Sequence, residues 1–134
     1  MTLRSVSVAV ATLVLLSGVD TRVVHADCSQ LYALAQQHAN DMARRNSLDH
    51  AGFKRHRGPS GATAEDVAVG CADEACAMRA WMQSSHHRAN LALGGCQAIA
   101  SAVSKSGRRY WAMEIGGSGV SAGRDLSIEG SAPH

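Results

Sequence analysis

Aromatic side chains are scarce in this chain of 134 residues, with one Phe, two Tyr and two Trp. Binding single-stranded nucleic acid by stacking bases needs a row of such rings, and no such platform is present. Charge of either sign is also not in excess, 13 Lys and Arg standing against 11 Asp and Glu. That balance argues against nucleic acid as a main partner. No Cys-x-x-Cys knuckle occurs, so the four cysteines do not read as a zinc cluster. There is no internal repeat and no interdomain linker. The longest apolar run, Val6 to Leu16, falls short of the ~20 residues that a membrane-spanning helix requires.

That run does fit a secretory signal over residues 1–26. Arg4 gives a positive start, and Val24-His25-Ala26 a small-residue cleavage site. The processed chain is then expected to begin at Asp27 and to be secreted or periplasmic, with no transmembrane segment and as a monomer. Asp27, where a small residue would be needed, speaks against lipidation of Cys28. Residues 117–134, rich in Gly and Ser, read as a disordered tail. One small domain, 27–116, remains between them.

A domain of that size has a marginal core, and export favours bridged thiols. Cys28, Cys71, Cys76 and Cys96 allow three pairings, and sequence does not choose among them. Cys71 with Cys76 and Cys28 with Cys96 is the favoured set. The first closes a local clip, and the second encloses most of the domain, stabilising by roughly 4 kcal/mol against roughly 2 kcal/mol in the loop-entropy picture.

Asp27 and Gln30 suit a helix start, and Leu31, Leu34, Ala35, His38, Met42 and Ala43 recur at helical spacing. This helix is expected to run to Arg45 and stop at Asn46. His38 falls on its apolar stripe and is expected to be a hydrogen-bonded core histidine. Lys54-Arg55-His56-Arg57 precedes Gly58-Pro59-Ser60-Gly61 and reads as a solvated basic loop. A second helix is expected over 73–83, with Ala77, Met78 and Trp81 inward and Glu74 favouring its dipole. Gln97 to Ser104 and Arg109 to Ile115 alternate as an antiparallel hairpin around Lys105-Ser106-Gly107-Arg108. Trp111, Met113 and Ile115 share one face, leaving Glu114 as a half-exposed strand acid on the other. The sum is a helix-rich α+β domain with a small antiparallel sheet.

Chemistry concentrates in Trp81-Met82-Gln83-Ser84-Ser85-His86-His87-Arg88-Ala89-Asn90. Imidazole is the side chain best suited to bind a transition metal or move a proton near neutral pH. Ser84 and Ser85 suit capping of the turn that follows. His50 and Glu65 lie upstream in equally polar settings.

Four segments, in order, resemble the CAP superfamily of cysteine-rich secretory, antigen 5 and pathogenesis-related proteins, or SCP domains, in its short secreted bacterial form. His38 to Phe53 is similar to the family's first helix and histidine loop. Ala64-Glu65-Asp66-Val67-Ala68 resembles its Gly-Glu-Asn-hydrophobic-Ala segment, Trp81 to Leu91 its Trp-Met-x-Ser-Pro-Gly-His-Arg-x-Asn motif, and Tyr110 to Gly116 its late aromatic strand. The resemblance implies an α-β-α sandwich whose cleft holds two histidines and two acids, with a divalent metal, commonly Zn2+, in several members. Carried over by position, His50, Glu65 and His87 match three of the four, His86 being a flanking residue. Ser84 stands at the place of the missing acid, and Asp66 replaces the usual Asn, either as a substitute carboxylate or as a turn former.

Two imidazoles and one carboxylate permit zinc with an open position for water. No general base or oxyanion site identifies a hydrolase, and bridged thiols and capping serines leave no nucleophile for a protease. The expectation is therefore a secreted, non-enzymatic binding domain with a metal-capable cleft and an envelope, lipid or extracellular partner. A zinc-dependent peptide hydrolase and a disulfide-stabilised structural envelope protein are the alternatives.

Overall fold

The computed structural model describes residues 27–117; the expected signal, 1–26, and the tail from 118 onward lie outside the described residues. The first helix, α1, spans Cys28–Arg45. The Asp27 carboxylate accepts from the Gln30 N–H at 2.7 Å, satisfying one of the orphan donors of the first turn. At the other end Asn46 takes the left-handed conformation (φ 52°), and its N–H and that of Ser47 close back on the Ala43 and Met42 carbonyls.

Three strands follow in the order β1 (Ala62–Val69), β2 (Cys96–Val103) and β3 (Arg109–Gly116). They form one antiparallel sheet with β3 in the centre, ordered β1-β3-β2. Helices α2 (Glu74–Gln83) and α3 (Ser85–Leu91) lie between β1 and β2 in sequence. The expected hairpin is present. The acid-bearing segment after Ala62 adds the third strand.

Both sheet faces are covered. Ala35, Ala39 and Met42 of α1 pack on Val67, Ala100, Tyr110 and Ala112. Across the sheet, Ala77 and Trp81 of α2 pack on Ala64, Ala68, Trp111, Met113 and Ile115. The layering is thus α-β-α, an α+β architecture. Trp81 Nε1 donates to the Val67 carbonyl and Trp111 Nε1 to that of Cys71, at 3.1 and 2.8 Å, so each buried indole keeps its polar atom satisfied.

Two disulfides tie the layers, Cys28 to Cys96 and Cys71 to Cys76. The first fastens the start of α1 to the start of β2. The second clips the loop after β1 to α2. No helix among the described residues is long and apolar enough to cross a membrane.

Two expectations are corrected. Glu114 is fully buried, because α1 covers the face that alternation alone would leave half open. The basic run is not all solvated: Phe53–Arg57 forms a π-helical turn, which exposes Lys54, Arg55 and His56 and drives Arg57 inward.

Candidate functional site

The loop that carries His50 is pinned at its base. Arg45 grips both carboxylate oxygens of Asp49 at 2.8 and 3.0 Å, which with Ser47 and the Ala51 N–H holds the Asp49 carboxyl well below its usual range. His38, 2% exposed, donates from Nε2 to the Asp49 carbonyl at 2.8 Å. It is the expected core histidine, and burial lowers its pKa.

So anchored, the loop brings His50 Nδ1 to 2.7 Å from Glu65 Oε1. A carboxylate is an acceptor, so Nδ1 carries a proton in this contact. Glu65 also receives Arg57, whose Nη2 donates to Oε1 at 3.0 Å and whose Nε donates to Oε2. Burial by itself would raise the Glu65 pKa, but the hydrogen bonds from His50, Glu114 and Arg57 hold it low. Arg57 Nε also lies 3.1 Å from Glu114 Oε1. Beyond that ion pair, neither buried oxygen of Glu114 has a hydrogen-bond partner. As a neutral acid it donates to Glu65, and burial first, then the Glu65 charge, push its pKa far upward.

On the opposite face, Asn90 Nδ2 donates to Asp66 Oδ1 at 2.7 Å. Burial pushes Asp66 up to about 7. His87 Nε2 stands 4.0 Å from the same Oδ1. Burial, then the charges of His50 and His86, lower the His87 pKa. His86 is exposed. Ser84 caps α3, its Oγ accepting from the His87 N–H at 3.5 Å, which orients the turn bearing that imidazole.

Of the three residues the sequence singles out, His50 and Glu65 are therefore in direct contact, whereas His87 meets Asp66. Arg57, Glu114 and Asn90 complete the cluster; from the sequence they read as part of a solvated basic loop, a half-exposed strand acid and the end of the Trp81 to Asn90 segment, not as site residues. Nothing in four consecutive basic residues marks the one that turns inward, and Glu114 faces Glu65 only once strand register is known. Among the described residues, no group of three His, Cys, Asp or Glu side chains already stands at metal-holding distance. A separate polar cleft of ≈ 400 Å³ opens between α1 and the π-helical turn, with Asn40, Arg44 and His56 on its rim and His38 and Arg57 among its lining.

Fold and site together define a small disulfide-bridged α-β-α domain with histidines and carboxylates gathered at the edge of its sheet. The model of CAP, the cysteine-rich secretory protein family, matches residues 27–115, and the chain belongs to that family. No curated protein and no solved structure matches significantly.

Proposed function

We propose that the protein is a secreted CAP binding domain, not an enzyme, with a metal-capable cleft around His50, Glu65 and His87 and a partner in the envelope or extracellular space, a lipid included. The observation that carries this reading is the engagement of Glu65. A general base must be free to take a proton, and here the carboxylate nearest His38 and His50 is matched by an arginine that stays charged at any working pH. That favours a rigid recognition surface over a hydrolytic centre. The membership in a family whose members are typically extracellular, together with two disulfides, supports export.

If Zn2+ binds, the imidazoles of His50 and His87 and one carboxylate hold it, and the metal supplies a charged, Lewis-acidic point for an anionic group of the partner. Zinc titration of the oxidised protein and of His50→Ala and His87→Ala tests the cleft; equal uptake by all three sinks it. Metal-dependent turnover of peptides or esters that vanishes in Glu65→Gln would replace the binding reading with the hydrolase. Recovery of whatever copurifies with the protein from its own envelope or medium identifies the partner.

A further inference from the structure

The cleft of ≈ 400 Å³ between α1 and the π-helical turn has the size of a small-molecule pocket. Gln37, Asn40 and Arg44 form its α1 wall; at intervals of three and four they share one face of the helix. His56 forms the other wall and ties the two together, its Nε2 donating to Gln37 Oε1 at 3.2 Å.

What these side chains have left to offer is donors. The Gln37 amide oxygen is taken by His56, and the Asn40 oxygen by Gln36 Nε2 at 3.0 Å. Their NH2 groups, with two donors each, have no protein partner among the described residues. Arg44, its side chain 74% exposed, commits Nη2 to Asp41, which leaves most of a five-donor fork to solvent. The α1 wall therefore presents N–H groups and holds back its acceptors, the reverse of a cation site.

Charge agrees with this polarity. Asp41 is the acid of the lining, and both its oxygens are covered, Oδ1 by Arg44 and Oδ2 by Arg45. Beneath, buried Arg57 is fixed by Glu65 and the Ala51 carbonyl. Beside His56, exposed Arg55 has no carboxylate partner among the described residues. A carboxylate ligand has two coplanar oxygens, which one guanidinium fork satisfies. Here three donor side chains spread along roughly 10 Å of helix. A phosphate ester brings three strong acceptor oxygens, and a polyol attached to it brings hydroxyl oxygens that accept from amides.

We infer that this cleft binds a phosphate ester of a small polyol or sugar, the phosphate at Arg44 and hydroxyl oxygens at the Gln37 and Asn40 amides, with His56 holding Gln37 in its donating orientation. Such a group exists free in solution and as a lipid headgroup. The inference does not rest on the metal-capable cleft proposed above, and zinc uptake does not bear on it. In the competing arrangement the cleft is a solvated groove whose cations attract any anion weakly.

The test uses the oxidised full chain and glycerol phosphate, with binding read by NMR of side-chain amides and imidazoles. The Gln37 and Asn40 NH2 signals and the His56 ring should shift saturably. Acetate should bind about tenfold more weakly or worse, and Arg44→Gln and Gln37→Leu/Asn40→Leu should each weaken glycerol phosphate by about tenfold or more, the scale of a lost hydrogen bond to a charged group. All three positions are exposed, so the fold tolerates these changes. Arg79→Gln, on α2 across the sheet, should stay within a factor of about two, since screening removes the effect of a distant charge. Vesicles of phosphatidylcholine and phosphatidic acid separate the sources. Vesicle binding that glycerol phosphate displaces and Arg44→Gln weakens assigns a lipid headgroup; glycerol phosphate binding without vesicle binding assigns a soluble ester, and either result upholds the site. No saturable shift, acetate binding as tight as that of glycerol phosphate, or an equal loss in Arg79→Gln overturns it.

Discussion

Glu65 on β1 and Glu114 on β3 are direct cross-strand partners, both buried beneath α1. Like charges placed opposite one another in a sheet repel, and burial multiplies the penalty. The chain resolves this with one guanidinium and one proton: Arg57 matches Glu65, and the pair retains a proton at Glu114. The cluster joins the π-helical turn, the His50 loop and two strands, so the geometry of the cleft is coupled to its state of charge.

Glu114→Gln should therefore stabilise the protein as pH rises. An acid whose folded pKa lies above its unfolded value contributes stability below the unfolded value, 4.5 for Glu, and loses it as pH climbs toward the folded value. Each pH unit in that window is worth up to about 1.4 kcal/mol. The amide keeps the donor at every pH and has no such slope, whereas the contribution of buried His38 has the opposite sign and is common to both proteins. Urea midpoints should coincide near pH 4 and separate in favour of Glu114→Gln at pH 6 and 8. Parallel midpoints would mean that Glu114 is ionised in the fold.

Arg57→Met removes the cation and leaves Glu65 buried with only imidazoles and the protonated Glu114 near it. Breaking a buried pair from one side costs about 3–5 kcal/mol, so a large loss in unfolding free energy is expected at pH 7. Adding Glu65→Gln to Arg57→Met should recover much of it, since the orphaned charge is then gone. A single-variant loss below about 1 kcal/mol, the scale of an exposed pair, would place Arg57 in solvent.

Much of this architecture is legible in the sequence because it is written in local periodicity. The α1 stripe, the stop at Asn46 and the hairpin from Cys96 to Gly116 all follow from spacing and turn residues. The cluster is not local. Arg57 is one of four consecutive basic residues, and only the π-helical turn decides which one is buried. Glu114 reads as half-exposed because alternation assumes one open face, while α1 closes it. Asp66 and Glu65 are neighbours in sequence yet serve opposite faces, so a motif that matches both positions does not say which acid meets His87.

The two disulfides should differ in their worth. Cys28 and Cys96 are 68 residues apart, Cys71 and Cys76 five. Loop-closure entropy assigns about 4 kcal/mol to the first and about 2 kcal/mol to the second. A Cys28→Ser/Cys96→Ser protein is thus expected to show the larger fall in thermal midpoint, and a Cys71→Ser/Cys76→Ser protein the smaller. The reverse order would show that the local clip, which adjoins the Trp111 indole through the Cys71 carbonyl, contributes chiefly in the native state.

Ser84 provides the last check, because it is both the place of the acid missing from the resemblance and a cap observed in the fold. Its backbone is extended, it ends α2 and begins α3, and its Oγ accepts from the His87 N–H at 3.5 Å, the long limit of a hydrogen bond. A strong cap is worth about 1 kcal/mol and up to about 2; at that distance Ser84→Ala should cost no more than about 1 kcal/mol in urea unfolding. Zinc affinity should stay within a factor of about two of wild type, because the serine supplies no ligand and the orientation of His87 is held also by the seven-residue helix behind it. A tenfold loss of zinc affinity at unchanged stability would instead assign the hydroxyl a place in the site itself, at the position where the resemblance puts a carboxylate.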